Sequence, residues 1–223
     1  PVLSQFSYIL QSNKEALLVD PIRDTEAYER FVKKKGLRVK GVVLTHTHAD
    51  FVAGHIEAQN AFGCPIYINE KAHAKYKNKG VTEAATLKVG HSVLTFLETP
   101  GHTPESMCVL VTDSLTEQPC LLFSGDTLFV GSVGRPDLLE GKVSAADLAS
   151  MMYDSWHKKL KVLKDDLQVF PAHGAGSLCG ANLSSDPWTT IGREKRTNHY
   201  VKQKSRSAFI AEVLSDLPGA PQY

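Results

Sequence analysis

The chain has 223 residues, with 25 Lys and Arg against 24 Asp and Glu, and 42% of its residues are hydrophobic. Such a length and apolar content suit a globular chain built as one large domain, 1–223, and the near balance of charge excludes a strong field for nucleic acid or an anionic membrane surface. No window approaches the roughly 20 apolar residues of a bilayer span, and the four cysteines, Cys64, Cys108, Cys120 and Cys179, form no CxxC pair. Scattered cysteines argue against a zinc knuckle or a disulfide framework and place the expectation in a reducing compartment, the cytoplasm.

Apolar runs bounded by turn residues predict eight strands, at 6–10, 16–20, 39–44, 65–68, 92–98, 107–111, 120–123 and 167–170. Helical patterns lie between and after them. The first covers 25–35 with Asp24 as cap, and its lysine-rich end suits the negative pole of the helix dipole. A second covers 52–62. A third, 144–163, opens on Ser144 with Asp147 three residues on, which resembles a capping box, and places Leu148, Met151, Met152, Ser155, Lys159 and Leu163 on one side. A fourth covers 205–217 and stops at Pro218 and Gly219. Strands first in meanders and then interleaved with helices predict a layered α/β or α+β architecture.

Four of the strands end in polar loops that carry metal-ligand types. THTHADF supplies His46, His48 and Asp50 after the third strand, TPGHTPES supplies His102, SGDT supplies Asp126, and PAHG supplies His173. If these strands share one direction, their carboxyl ends form a single crevice where imidazoles and carboxylates meet, a donor set suited to zinc, iron or another first-row metal. Any one of these histidines alone is more simply a turn or core residue; the conjunction is what points to a metal. The aromatic Phe51, beside Asp50, cannot bind a metal and is expected to pack beneath its loop.

The motifs THTHADF, TPGHTP, FSGDTLF, VGRPDL, PAHGAG and TIGREKRTN, in that order, resemble the metallo-β-lactamase superfamily, and the resemblance runs from about Leu3 to Ser205. It implies an αββα sandwich. Within the superfamily, Phe51 and the loop PAHGAGSLCG are most similar to bacterial persulfide dioxygenases, especially those whose catalytic domain is fused to a rhodanese domain. Two-metal hydrolases of the superfamily carry a histidine where this chain has Phe51. The resemblance therefore implies one ferrous ion per chain, held by His46, His102 and Asp126, with His48, Asp50 and His173 orienting ligands, substrate or water, although spacing alone places His48 beside His46 as a further ligand. Two imidazoles and a carboxylate on one face leave open positions, as non-haem Fe(II) oxygenases require, whereas zinc has no redox chemistry for O₂.

The implied reaction takes a low-molecular-weight persulfide, glutathione persulfide or coenzyme A persulfide, with O₂ and water, and yields thiol and sulfite. Carrier recognition is assigned to Arg135 and to the basic segment 193–206, where Arg193 and Lys195 can meet carboxylates or phosphates. For that segment a solvated face is the alternative, and for Arg135 a structural salt bridge. Cys179 is either a sulfur acceptor near the metal or a small buried hydrophobe. Two rival functions remain: a zinc-dependent thioester hydrolase of the glyoxalase II type, and a non-catalytic sulfur carrier. Relatives suggest a homodimer, and the tail 217–223 resembles the lead-in to a rhodanese domain.

Overall fold

The computed structural model describes residues 4–138 and 143–217. Two sheets carry the fold. The first comprises β1 (Tyr8–Ser12), β2 (Glu15–Val19), β3 (Arg38–Val43), β4 (Ile66–Asn69) and β5 (Lys79–Val81), in that spatial order. A hairpin joins β1 to β2, and every later pairing is parallel. The second sheet has the order β11 (Thr189–Thr190), β10 (Gln168–Pro171), β9 (Gln118–Gly125), β8 (Met107–Asp113), β7 (Ser92–Glu98), β6 (Thr86–Val89). Only β9 and β10 are parallel there.

The period-2 geometry of strands explains why β2 and β3 are apolar at every inward position. Leu17, Val19 and Val43 face the second sheet and pack with Leu94, Phe96, Val109 and Phe123. Their neighbours Leu18 and Val42 face outward, against Tyr28 of α1 (Glu26–Lys35) and Ala58 of α2 (His55–Phe62). On the far side of the second sheet, Cys108, Leu122 and Val169 meet Met152 of α3 (Ala145–Ser155), Ile191 of α4 (Ile191–Thr197) and Phe209 of α5 (Arg206–Ser215). The layers are thus helix, sheet, sheet, helix, the expected αββα sandwich.

Most predicted elements are present with ends shifted by a residue or two. The cap of α3 is as read: Ser144 Oγ accepts from Asp147 N at 3.1 Å. That helix differs in its second half, where a π-helical turn, Trp156–Leu160, replaces the regular repeat. Met151, expected on the packed side, is exposed in the regular part of the helix before that turn. Asp24 accepts from Glu26 N at 3.1 Å, although Thr25 is the cap residue of α1. The strands β5, β6 and β11 and the helix α4 were not predicted. Of the tail 217–223, all but Leu217 lies outside the described residues.

Candidate metal centre

β3, β7, β9 and β10 each deliver a polar loop to the same rim of the sandwich. The backbone there is tightly fitted. Gly125 ends β9 at φ +53, and a Cβ on it would lie 2.6 Å from Thr45 Oγ1; a Cβ on Gly134 would lie 2.0 Å from Asp126 O. Glycine at both places lets the loops carrying His46, His102 and Asp126 approach one another.

His46, His102 and Asp126 form one buried cluster in which one donor atom from each lies within 4.8 Å of the others. Asp126 Oδ2 is 3.8 Å from His46 Nε2 and 3.5 Å from His102 Nε2. Hydrogen bonds on the other ring nitrogens fix the tautomers. His102 Nδ1–H donates to Arg135 O at 2.8 Å. Thr45 Oγ1 donates to Asp20 Oδ2 at 2.8 Å, so its remaining lone pair accepts from His46 Nδ1 at 3.0 Å. Both histidines therefore turn a bare Nε2 toward Asp126 Oδ2, a buried oxygen with no hydrogen-bond partner. Lone pairs that converge in a buried space without a proton between them fit a metal ion, which would accept all three. Protonation states agree with this. Burial first, and His48 next, keep His46 neutral, far below its ordinary pKa. Burial works to raise Asp126, but the charge of His173 and its hydrogen bond outweigh it and hold the carboxyl well below the usual carboxylate range.

A second cluster, Asp50, His173 and Cys179, adjoins the first. His173 Nδ1 lies 2.8 Å from Asp126 Oδ1, and its Nε2 lies 2.8 Å from Asp50 Oδ2 but misaligned for a hydrogen bond. Burial opposes a charge on His173, yet Asp126 and Asp50 prevail and lift its pKa to about 10. The Cys179 thiol is buried, and burial followed by Asp126 and Asp50 raises it far above a normal thiol. A thiol so placed is protonated and shielded. Native protein should accordingly resist iodoacetamide at Cys179 and react once unfolded; rapid labelling of the folded protein, read by peptide mass spectrometry, would refute this.

His48 belongs to neither cluster, although its ring lies 4.1 Å from that of His46. Its Nε2 donates to Asp20 Oδ1 at 2.9 Å, leaving a buried Nδ1 without a partner, and Phe51 packs on its ring at a centroid distance of 4.4 Å. Phe51 also packs against Leu44, Ala53 and Ile68, the place beneath the loop expected from its chemistry.

Of the residues predicted to recognise the carrier, Arg135 adjoins the metal centre through its backbone, whereas Arg193 and Lys195 lie away from it. Arg135 is 1% exposed, grips Asp137 through two bonds of 2.7 Å and donates to Leu178 O. It anchors the loop below Cys179, so the salt bridge, not a surface for substrate, is its placement. Arg193 pairs with exposed Asp186. Lys195 pairs with Asp165, just before β10, whereas His173 follows the other end of that strand.

Three residues at the rim escaped the sequence reading. Asp20, 1% exposed, accepts from Thr45 N and Thr45 Oγ1 as well as from His48. Thr45 links that carboxylate to His46, and Glu105 clamps the loop by accepting from Thr47 N and Thr47 Oγ1. For Asp20 a signal existed: a carboxylate closing a wholly apolar strand must be hydrogen-bonded or exposed.

The model of the metallo-beta-lactamase superfamily matches residues 1–173. The chain belongs to that superfamily. Human persulfide dioxygenase ETHE1, mitochondrial, is 29% identical over 78% of this chain and 65% of its own length. A hydroxyacylglutathione hydrolase of Francisella tularensis subsp. novicida is also 29% identical, over 77% of this chain and 63% of its own. Among solved structures, a metallo-beta-lactamase from Staphylococcus aureus superposes with TM-score 0.87 at 35% identity, covering 98% of this chain and 65% of that one. ETHE1 from Myxococcus xanthus gives 0.81 at 29% identity, covering 97% and 88%. The chain thus spans just under two thirds of three of these four relatives. Among the described residues no helix is long and apolar enough to cross a membrane.

Proposed function

We propose that this chain is the catalytic part of a persulfide dioxygenase that works at one ferrous ion held by His46, His102 and Asp126. The observation that carries the reading is the donor set itself: two imidazole nitrogens left bare by the hydrogen bonds on their opposite ring atoms, and one unpartnered carboxylate oxygen, in one buried cluster. Ferrous iron bound there would supply the redox chemistry for O₂ and open positions for a sulfur anion and water. Phe51, in place of a further imidazole, disfavours a complete pair of metals, and the likeness to persulfide dioxygenases supports the same choice.

The substrate is a low-molecular-weight persulfide, glutathione persulfide before coenzyme A persulfide. A persulfide combines with O₂ and water to give the thiol, sulfite and two protons, so the site must handle protons as well as oxygen. His173 holds a proton between Asp126 and Asp50. Asp50 positions water beside it, and His48, fixed by Asp20, shapes the wall next to His46.

One observation favours a thioester hydrolase instead: Asp50, His173 and Cys179 offer a second donor group beside the first. Metal content and oxygen uptake of anaerobically purified protein separate the two readings. We expect one iron per chain, with O₂ consumed and sulfite formed from glutathione persulfide. Two zinc ions per chain, with cleavage of S-lactoylglutathione and no O₂ uptake, would overturn the proposal.

A further inference from the structure

One face of α3 bears on the turn that carries His102. Ser155, the last residue of the helix and 2% exposed, donates its Oγ–H to Pro100 O at 2.7 Å. Three residues back, and so on the same side of the helix, Met152 closes on the next backbone unit: a Cβ on Gly101 would lie 2.6 Å from Met152 Cβ. The backbone at Pro100 and Gly101 is thus held by α3 immediately before the chain reaches His102. Other bonds stiffen the same turn. Gly101 N donates to Thr103 O at 3.1 Å, Thr103 N donates to Ser106 Oγ at 3.1 Å, and Thr99 Oγ1 lies 2.8 Å from Oγ1 of Thr127, the residue after Asp126.

Serine is an expensive choice at that place. Among the buried residues of α3, Leu148, Ala149 and Met152 are apolar and Ser155 alone is polar, and Trp156 and Leu160 continue the apolar contact beyond it. Alanine favours a helix more than serine does, and a buried hydroxyl destabilises unless it is hydrogen-bonded. For packing alone, alanine would serve as well or better. What the hydroxyl adds is a bond to a carbonyl 55 residues away in sequence. That carbonyl belongs to the turn whose path decides where His102 Nε2 points, 3.5 Å from Asp126 Oδ2.

We propose that Ser155 is a positioning residue for the metal centre: by holding Pro100 O it fixes the backbone that aims His102 Nε2 at the metal. Ser155 touches no ligand atom and acts only through the turn. The inference rests on the reading of His102 as a ligand, but not on which metal is bound or which reaction it performs.

Cobalt(II) reports on the site without any turnover, through its affinity in competition with a metal indicator and through its visible absorption. Ser155→Ala should bind cobalt about tenfold more weakly, the lower end of what loss of an outer partner costs, and should shift the absorption bands. Its metal-free form should melt within about 4 °C of the unmodified chain, because the gain in helix preference offsets the lost hydrogen bond. Ser155→Thr keeps a hydroxyl and should recover most of the lost affinity. His102→Ala tests the underlying reading and should lose about 100-fold or more. Unchanged cobalt affinity in Ser155→Ala beside a large loss in His102→Ala would overturn the proposal and leave the ligand assignment standing. A lower melting temperature with unchanged absorption bands, or a variant that does not fold, would make Ser155 a structural residue and overturn it equally. No cobalt binding by the unmodified chain, or full affinity in His102→Ala, would end the ligand assignment and this proposal with it.

Discussion

Asp126→Ala is expected to abolish metal retention and, with it, every metal-dependent activity of the protein. Asp126 serves both clusters at once. Its Oδ2 faces His46 and His102, and its Oδ1 holds His173 Nδ1. Removing the carboxylate deletes one of three donors and the only anion among them, leaving two neutral imidazoles as a poor cage for a divalent cation. Loss of an outer partner costs about 10–100-fold in metal affinity, so loss of this donor should exceed about 100-fold. Plasma emission analysis after dialysis against a weak chelator reads the outcome directly. A variant that keeps stoichiometric metal at the same affinity would show that Asp126 is not a ligand.

Asp20→Asn should produce the next largest effect, although Asp20 touches no proposed ligand atom. Its carboxylate takes three buried hydrogen bonds, from Thr45 N, Thr45 Oγ1 and His48 Nε2, and Thr45 Oγ1 in turn accepts from His46. An amide in its place offers one acceptor oxygen and turns an NH₂ group toward other donors. Each buried donor stranded in this way costs roughly 1–3 kcal/mol, and misorientation of His46 should lower metal affinity about 10–100-fold. Asparagine is chosen because Asp20 has φ 46, a left-handed conformation that asparagine tolerates. The backbone is thereby kept while the charge is lost. Thermal melting of the metal-free protein separates the stability cost from the affinity cost, which competition with a metal indicator measures. Unchanged values for both would end the claim that Asp20 organises the THTH loop.

Much of the fold was legible because strands buried on both faces need continuous apolar runs. β7 was read with its observed ends, Ser92 and Glu98. β5, β6 and β11 were missed for the opposite reason. KGV, TLKV and TT are too short and too polar to announce themselves, and they are strands because neighbours pair with them. α4 has seven residues, IGREKRT, and read as a basic patch. Its carboxylate Glu194 turns inward to Thr189, Gly131 and Asn198, while Arg193 and Lys195 find acids outside the rim. Charge in a sequence says nothing about the direction in which a side chain points.

By itself the sequence determined which residue types stand at the ends of four strands, because apolar runs stop where polar loops begin, and ligand residues are recognisable by chemistry. It also determined the layered class, through the alternation of strands and helices. Tertiary structure alone decided which histidine nitrogens are bare. That depends on partners far along the chain: Arg135 O lies 33 residues from His102, and Asp20 lies 25 from Thr45. A tautomer is set by whichever acceptor reaches the ring, and only folding brings that acceptor within reach.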